Sequence, residues 1–136
     1  MLFGMFLITL GCRSSDPFSY VKVSGKVSFE DGSQIKAHRI TVIFVPQMEP
    51  VEGLFYPRSG WAEVNVDDGT FHTVTSHKYG DGIVRGKHKV LIHTYDEQNN
   101  PTDLVAPAFS SASTTPLLVD TAETTQFHLV VAKPET

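Results

Sequence analysis

The constraint that most limits the fold is an apolar repeat of two. Val21, Val23, Gly25, Val27 and Phe29 alternate with Lys22, Ser24, Lys26 and Ser28. Successive side chains of an extended chain point to opposite faces, so this pattern buries one face of a strand and wets the other. The run Ile40–Val45 is continuously β-branched or aromatic and is closed by Pro46, as expected of a more fully buried strand. Residues 62–66 and 70–74 flank Asp67-Asp68-Gly69, a hairpin signal in which glycine supplies the positive φ of a tight turn. Gly86–Tyr95, Leu117–Val119 and Thr125–Val131 complete seven expected strands, and helical periodicity is nowhere sustained. Short strands punctuated by turns predict an all-β chain folded as an antiparallel β-sandwich with two apolar inner faces.

At 136 residues the chain accommodates one ordinary domain. Its 11 Lys and Arg stand against 15 Asp and Glu, for a formal charge of −4. Such a chain offers no cationic field to exchange for phosphate counterions, so nucleic acid is not an expected partner. Two connections are long. Pro46–Gly60 carries three prolines with Phe55 and Tyr56, and Asp96–Pro116 carries three prolines and the polar run Ser110–Thr115. Loops of this length are either functional contact surfaces or long surface paths.

The single cysteine, Cys12, has no intramolecular partner to pair with. It follows an uncharged apolar run at residues 1–11 and precedes the polar stretch Arg13-Ser14-Ser15-Asp16-Pro17. That run is near the length of a signal-peptide core and far short of the roughly 20 residues that span a bilayer. Ile8-Thr9-Leu10-Gly11-Cys12 resembles the box of a bacterial lipoprotein signal, although Thr9 stands where Leu is usual, Leu10 where a small residue is usual, and no basic stretch precedes the core. The resemblance implies a signal peptide at 1–11, a lipidated tether at 12–19 and a β domain at 20–133. Cys12 would then carry diacylglycerol on its sulfur, and several acyl chains give stable membrane anchoring. The other readings are simple secretion with an incidental thiol and a short apolar tail.

Val23–Phe29 followed by Asp31-Gly32, Ile40–Pro46, Val66–Phe71, Gly80–Ile92 and Phe127–Leu129 resemble the carboxypeptidase regulatory-like domain lipoproteins of planctomycete-type bacteria. The similarity runs through most of residues 20–132, with His88 where that family has Tyr. It implies a transthyretin-like, seven-strand Greek-key sandwich held to the cell envelope by lipid. It does not imply catalysis, and a fold alone never does.

The residues give no separate case for an enzyme. The six histidines, at 38, 72, 77, 88, 93 and 128, form no helical metal-binding pair, and there is no cysteine cluster. On the strand 86–95, His88 shares a face with Val90 and Ile92 and reads as a stand-in for a core aromatic. Asp67, Asp68 and Asp81 lie near turn glycines, where Asp is favoured for its bonds to local backbone. No serine sits in a nucleophile-elbow pattern. The hydroxyisourate hydrolases, enzymes of transthyretin-like fold, end in Tyr-Arg-Gly-Ser, whereas this chain ends Ala132–Thr136. The expected site is therefore non-catalytic, with no cofactor and no metal. Phe55, Tyr56 and Trp61, with Arg58 between them, form the candidate contact group. They read either as a lid on the domain or as a patch that stacks on a sugar ring or a partner's side chain. The expected function is a lipid-anchored envelope module presenting its two long loops to a protein or glycan. Its competitor is a carbohydrate or small-ligand binding module built on that aromatic patch.

Overall fold

A computed structural model describes residues 16–135, so Cys12 and the stretch 1–11 lie outside the described residues. The described chain is all-β, with nine strands: β1 Tyr20–Val21, β2 Ser24–Phe29, β3 Arg39–Pro46, β4 Gly60–Glu63, β5 Thr70–Phe71, β6 Ile83–Val84, β7 Lys87–Tyr95, β8 Leu118–Asp120 and β9 Gln126–Val131. One 3-10 turn, Pro107–Ser110, is the only helical element among the described residues.

The strands form three sheets, ordered β4-β3-β7-β8, β5-β2-β9 and β1-β6. Alternation on β7 is complete: His88, Val90, Ile92 and Thr94 are buried, while the residues between them face outward. Ile40, Val42 and Phe44 of β3 and Val27, Phe29, Phe71, Phe127, Leu129 and Val131 of the three-stranded sheet join one core. Phe44 links the sheets, its ring centroid lying 6.0 Å from that of Phe71 and 5.9 Å from that of Phe127. Aromatic rings at that separation pack favourably beyond their area alone.

Three expectations are corrected. The expected seven strands become nine, because the first alternating run breaks after Val21. Tyr20–Val21 pairs with Ile83–Val84, and β2 begins only at Ser24. The expected hairpin of 62–66 with 70–74 does not form: its first strand is Gly60–Glu63 paired with β3, its second is only Thr70–Phe71 paired with β2, and the Asp67-Asp68-Gly69 turn joins two different sheets. The pairing is also not antiparallel throughout, since β2 and β9 run parallel in register from Ser24↔Gln126 to Phe29↔Val131. After β8 the chain turns at Asp120–Thr124 and crosses to the other sheet, and this crossover sets the direction of β9. Burial alternation is the same in either direction, so it carries no information about polarity. At this pair backbone approach is close: a Cβ on Gly25 would collide with the Phe127 carbonyl oxygen and lie 2.6 Å from Phe71 Cζ. Only glycine fits there.

The register also gives the domain two distinct ends. Pro46 pairs with His88 and Arg39 with Tyr95. The 47–59 connection therefore leaves one end of β3 and the 96–101 turn sits at the other. Eight residues of strand separate them, roughly 25 Å of extended chain. The start of the described chain belongs to the first end, because β1 is paired to β6 just ahead of Lys87.

Candidate functional site

Val51 and Phe55 exchange backbone hydrogen bonds around a tight turn in which Glu52 and Gly53 both take positive φ, 55° and 65°. That hairpin presents Leu54 and Tyr56 to solvent, 74% and 70% exposed. Beside it runs the amino-terminal segment. Asp16, Pro17 and Phe18 face Leu54, Phe55, Tyr56, Arg58 and His77 across an open cleft of about 340 Å³. The segment is tied down locally: Tyr20 donates its hydroxyl to Asp16 Oδ2 at 2.6 Å, and the Phe18 N–H donates to Asp16 Oδ1 at 3.0 Å. The Tyr20 bond holds the Asp16 carboxyl below the usual carboxylate range. Burial, reinforced by that bond, pushes the Tyr20 phenol upward. The Tyr20 ring also stacks on His77, at 6.4 Å between centroids.

The loop carrying His77 is organised by Asp81, whose carboxylate accepts the N–H groups of Ser76, His77 and Lys78 at 2.9, 3.2 and 2.9 Å. Asp68 likewise accepts from the Thr70 N–H and hydroxyl. These two carboxylates bond the turns that contain them. Among the described residues, no three His, Cys, Asp or Glu side chains converge as a metal site.

The expected aromatic group is divided. Phe55, Tyr56 and Arg58 line the cleft, but Trp61 does not. Trp61 sits on the outer face of β4, half exposed and paired with Ile43, because Gly60 and Ala62 take the inward positions of that strand. Strand alternation separates Trp61 from its near neighbours in sequence. Conversely, sequence reasoning assigned Asp16–Ser19 to a tether and missed the cleft's other wall. The available signal was Phe18 and Tyr20, two apart and leading into the alternating run.

Two histidines have definite surroundings. His128 is exposed, and its Nε2 lies 3.0 Å from the buried Ser28 hydroxyl on the outer face of the three-stranded sheet. A serine and a histidine alone do not make a nucleophile. The catalytic arrangement also needs an orienting acid and an oxyanion site, and among the described residues His128 has no carboxylate hydrogen-bond partner. His88 is wholly buried, edge-on to Phe44 at 6.4 Å, with Nδ1 3.3 Å from the Gly86 carbonyl and Nε2 without a partner among the described residues. Burial lowers its pKa below the ordinary 6.5. The unfolded chain thus takes up this proton at a higher pH than the folded one. Stability contributed by neutral His88 is present above pH 6.5 and declines as pH falls from there toward the lowered folded value. His88→Phe is expected to be about 1 kcal/mol more stable at pH 7, since an unsatisfied buried polar atom is removed. It is also expected to show a shallower loss of stability between pH 6.5 and 5, read by urea denaturation across that range. An unchanged pH profile would contradict this account of the buried ring.

The fold and the cleft define an all-β domain whose amino-terminal segment forms one wall of an aromatic groove. The chain matches no known protein-family model, and comparison with curated proteins and with solved structures gives no significant match.

Proposed function

We propose that this protein is a non-catalytic, lipid-anchored module of the bacterial cell envelope, a transthyretin-like Greek-key sandwich of the carboxypeptidase regulatory-like kind, attached through Cys12 and presenting loops to an envelope protein or glycan. The observation that carries this reading is the polarity of the domain. Three residues separate Cys12 from Asp16, and Asp16 lies at the end of the domain opposite the 96–101 turn. A lipid on Cys12 would hold the near end within about 15 Å of the bilayer, at roughly 3.5 Å per residue, and keep the far loops clear of it. Two sheets sharing one core through Phe44 support the sandwich.

Intact-mass measurement of the protein from native membranes tests the anchor. A chain beginning at Cys12 with a diacylglyceryl increment is expected, and a soluble chain retaining Met1 would overturn it. The competing reading, a carbohydrate or small-ligand module, draws on the aromatic and charged lining of the cleft, where Phe55, Tyr56 and Arg58 meet. A glycan array with Tyr56→Ala and Trp61→Ala controls separates the two. Sugar binding lost in either variant favours the ligand module, and silence across the array favours the interaction module.

A further inference from the structure

We infer that the near end of the domain is a membrane-contact surface, in which the Val51–Phe55 hairpin lays Leu54 and Tyr56 into the interface of a phospholipid bilayer. The inference rests on the anchored reading and adds which part of the domain the bilayer covers.

Three observations converge. Among the described residues the most exposed large apolar side chains are Tyr79, Leu54, Tyr56 and Leu118, at 89%, 74%, 70% and 68%. Leu54 and Tyr56 line the cleft that Asp16 enters, whereas Tyr79, two residues beyond His77, borders a separate cleft with Lys22 and His72. Tyrosine and leucine presented together suit the boundary between headgroups and acyl chains, where an amphipathic ring keeps its hydroxyl wet.

The second observation is the length of chain outside the described residues and the place where it joins them. Arg13, Ser14 and Ser15 alone lie between the cysteine and the cleft wall. A tether this short confines the hairpin near the surface, so a contact too weak to hold a free chain is populated by high effective concentration. The third is charge. Asp16 and Arg58 line the cleft, Glu52 is in the hairpin, and Lys78 with Asp81, Arg85, and Lys87 with Asp120 lie on the segments around it, a mixed set that favours neither an anionic nor a cationic surface. Contact through apolar burial is therefore expected to be indifferent to anionic lipid. With the near end against lipid, the loops 96–107 at the far end remain for a partner.

Because Cys12 is the only cysteine, a maleimide phospholipid couples the full chain to vesicles at that one position, whatever occurs in the cell. Hydrogen exchange of the amides of residues 51–58 is expected to slow roughly fivefold or more on anchoring. The slowing is expected to be equal on phosphatidylcholine vesicles and on vesicles with added phosphatidylglycerol. It is expected to disappear in the Leu54→Asp, Tyr56→Asp double variant, while exchange in β3 and β7 stays unchanged because both side chains are outside the core. No slowing at 51–58, slowing that survives the double variant, or slowing confined to 96–107 would overturn the inference. Those outcomes leave the native mass of Cys12 untouched, and a native chain without lipid leaves the vesicle result untouched, so the two failures are distinguishable.

Discussion

The Phe44→Ala variant is expected to lose about 4 kcal/mol of folding stability, a value typical of removing a fully buried phenyl ring and leaving a cavity. Phe44 is inaccessible to solvent and sits on the strand that pairs with both β4 and β7. Its ring meets Phe71 and Phe127 from the opposite sheet and His88 from its own. Few side chains here could be deleted with loss of contact on both layers at once. Since a domain of this kind is stable by only about 5–15 kcal/mol, the variant should approach half-unfolding at modest urea. The measurement is equilibrium denaturation, with the midpoint lowered and the slope retained. Phe44→Leu, which keeps most of the volume, is expected to recover more than half of the loss. A loss below about 1.5 kcal/mol for the alanine variant would mean that the sheets are not joined through this ring.

Cys12→Ser is expected to transfer the protein from the detergent phase to the aqueous phase in detergent phase separation of cells expressing it. The change is small in volume but removes the thiolate that alkylation requires, since a serine hydroxyl is not ionised near neutral pH. Each acyl methylene buried in a bilayer is worth about 0.8 kcal/mol, so losing two chains changes partitioning by many orders of magnitude. Circular dichroism of the variant is expected to match that of the parent chain. Retention in the detergent phase would argue against a lipid on this residue. The anchor prediction and the core prediction are read by separate measurements, phase partitioning for the one and equilibrium denaturation for the other.

How much was legible in the sequence depends on whether the signal was local. The alternation Lys87–Tyr95 read directly as a strand with His88, Val90 and Ile92 inward, and the structure buries all three. The turn at Asp67-Asp68-Gly69 was equally local, and Gly69 takes positive φ, 76°, but the pairing of the strands around it was not. Short pieces were harder. The two-residue strands β1 and β6 have too few side chains to show a period, and pairing alone defines them, while of the expected strand 70–74 only Thr70–Phe71 is formed. The candidate site fared worst. Phe55, Tyr56, Arg58 and Trp61 are neighbours along the chain, yet alternation on β4 turns Trp61 away from the cleft, and the wall that replaces it comes from Asp16–Phe18.

From sequence alone come the strand-forming character of the chain, the inward and outward faces of its longer strands, its turn positions and the standing of Cys12 as the one residue with a proposed covalent chemistry. Those are properties of neighbouring residues, set by side-chain period and backbone sterics. Only the tertiary structure decided that β9 runs parallel to β2, that Phe44 bridges the layers, and that the amino-terminal segment and the Val51–Phe55 hairpin share one end. Each of these depends on which distant segments meet, and the meeting is settled by burial of the whole apolar surface together and by no local pattern.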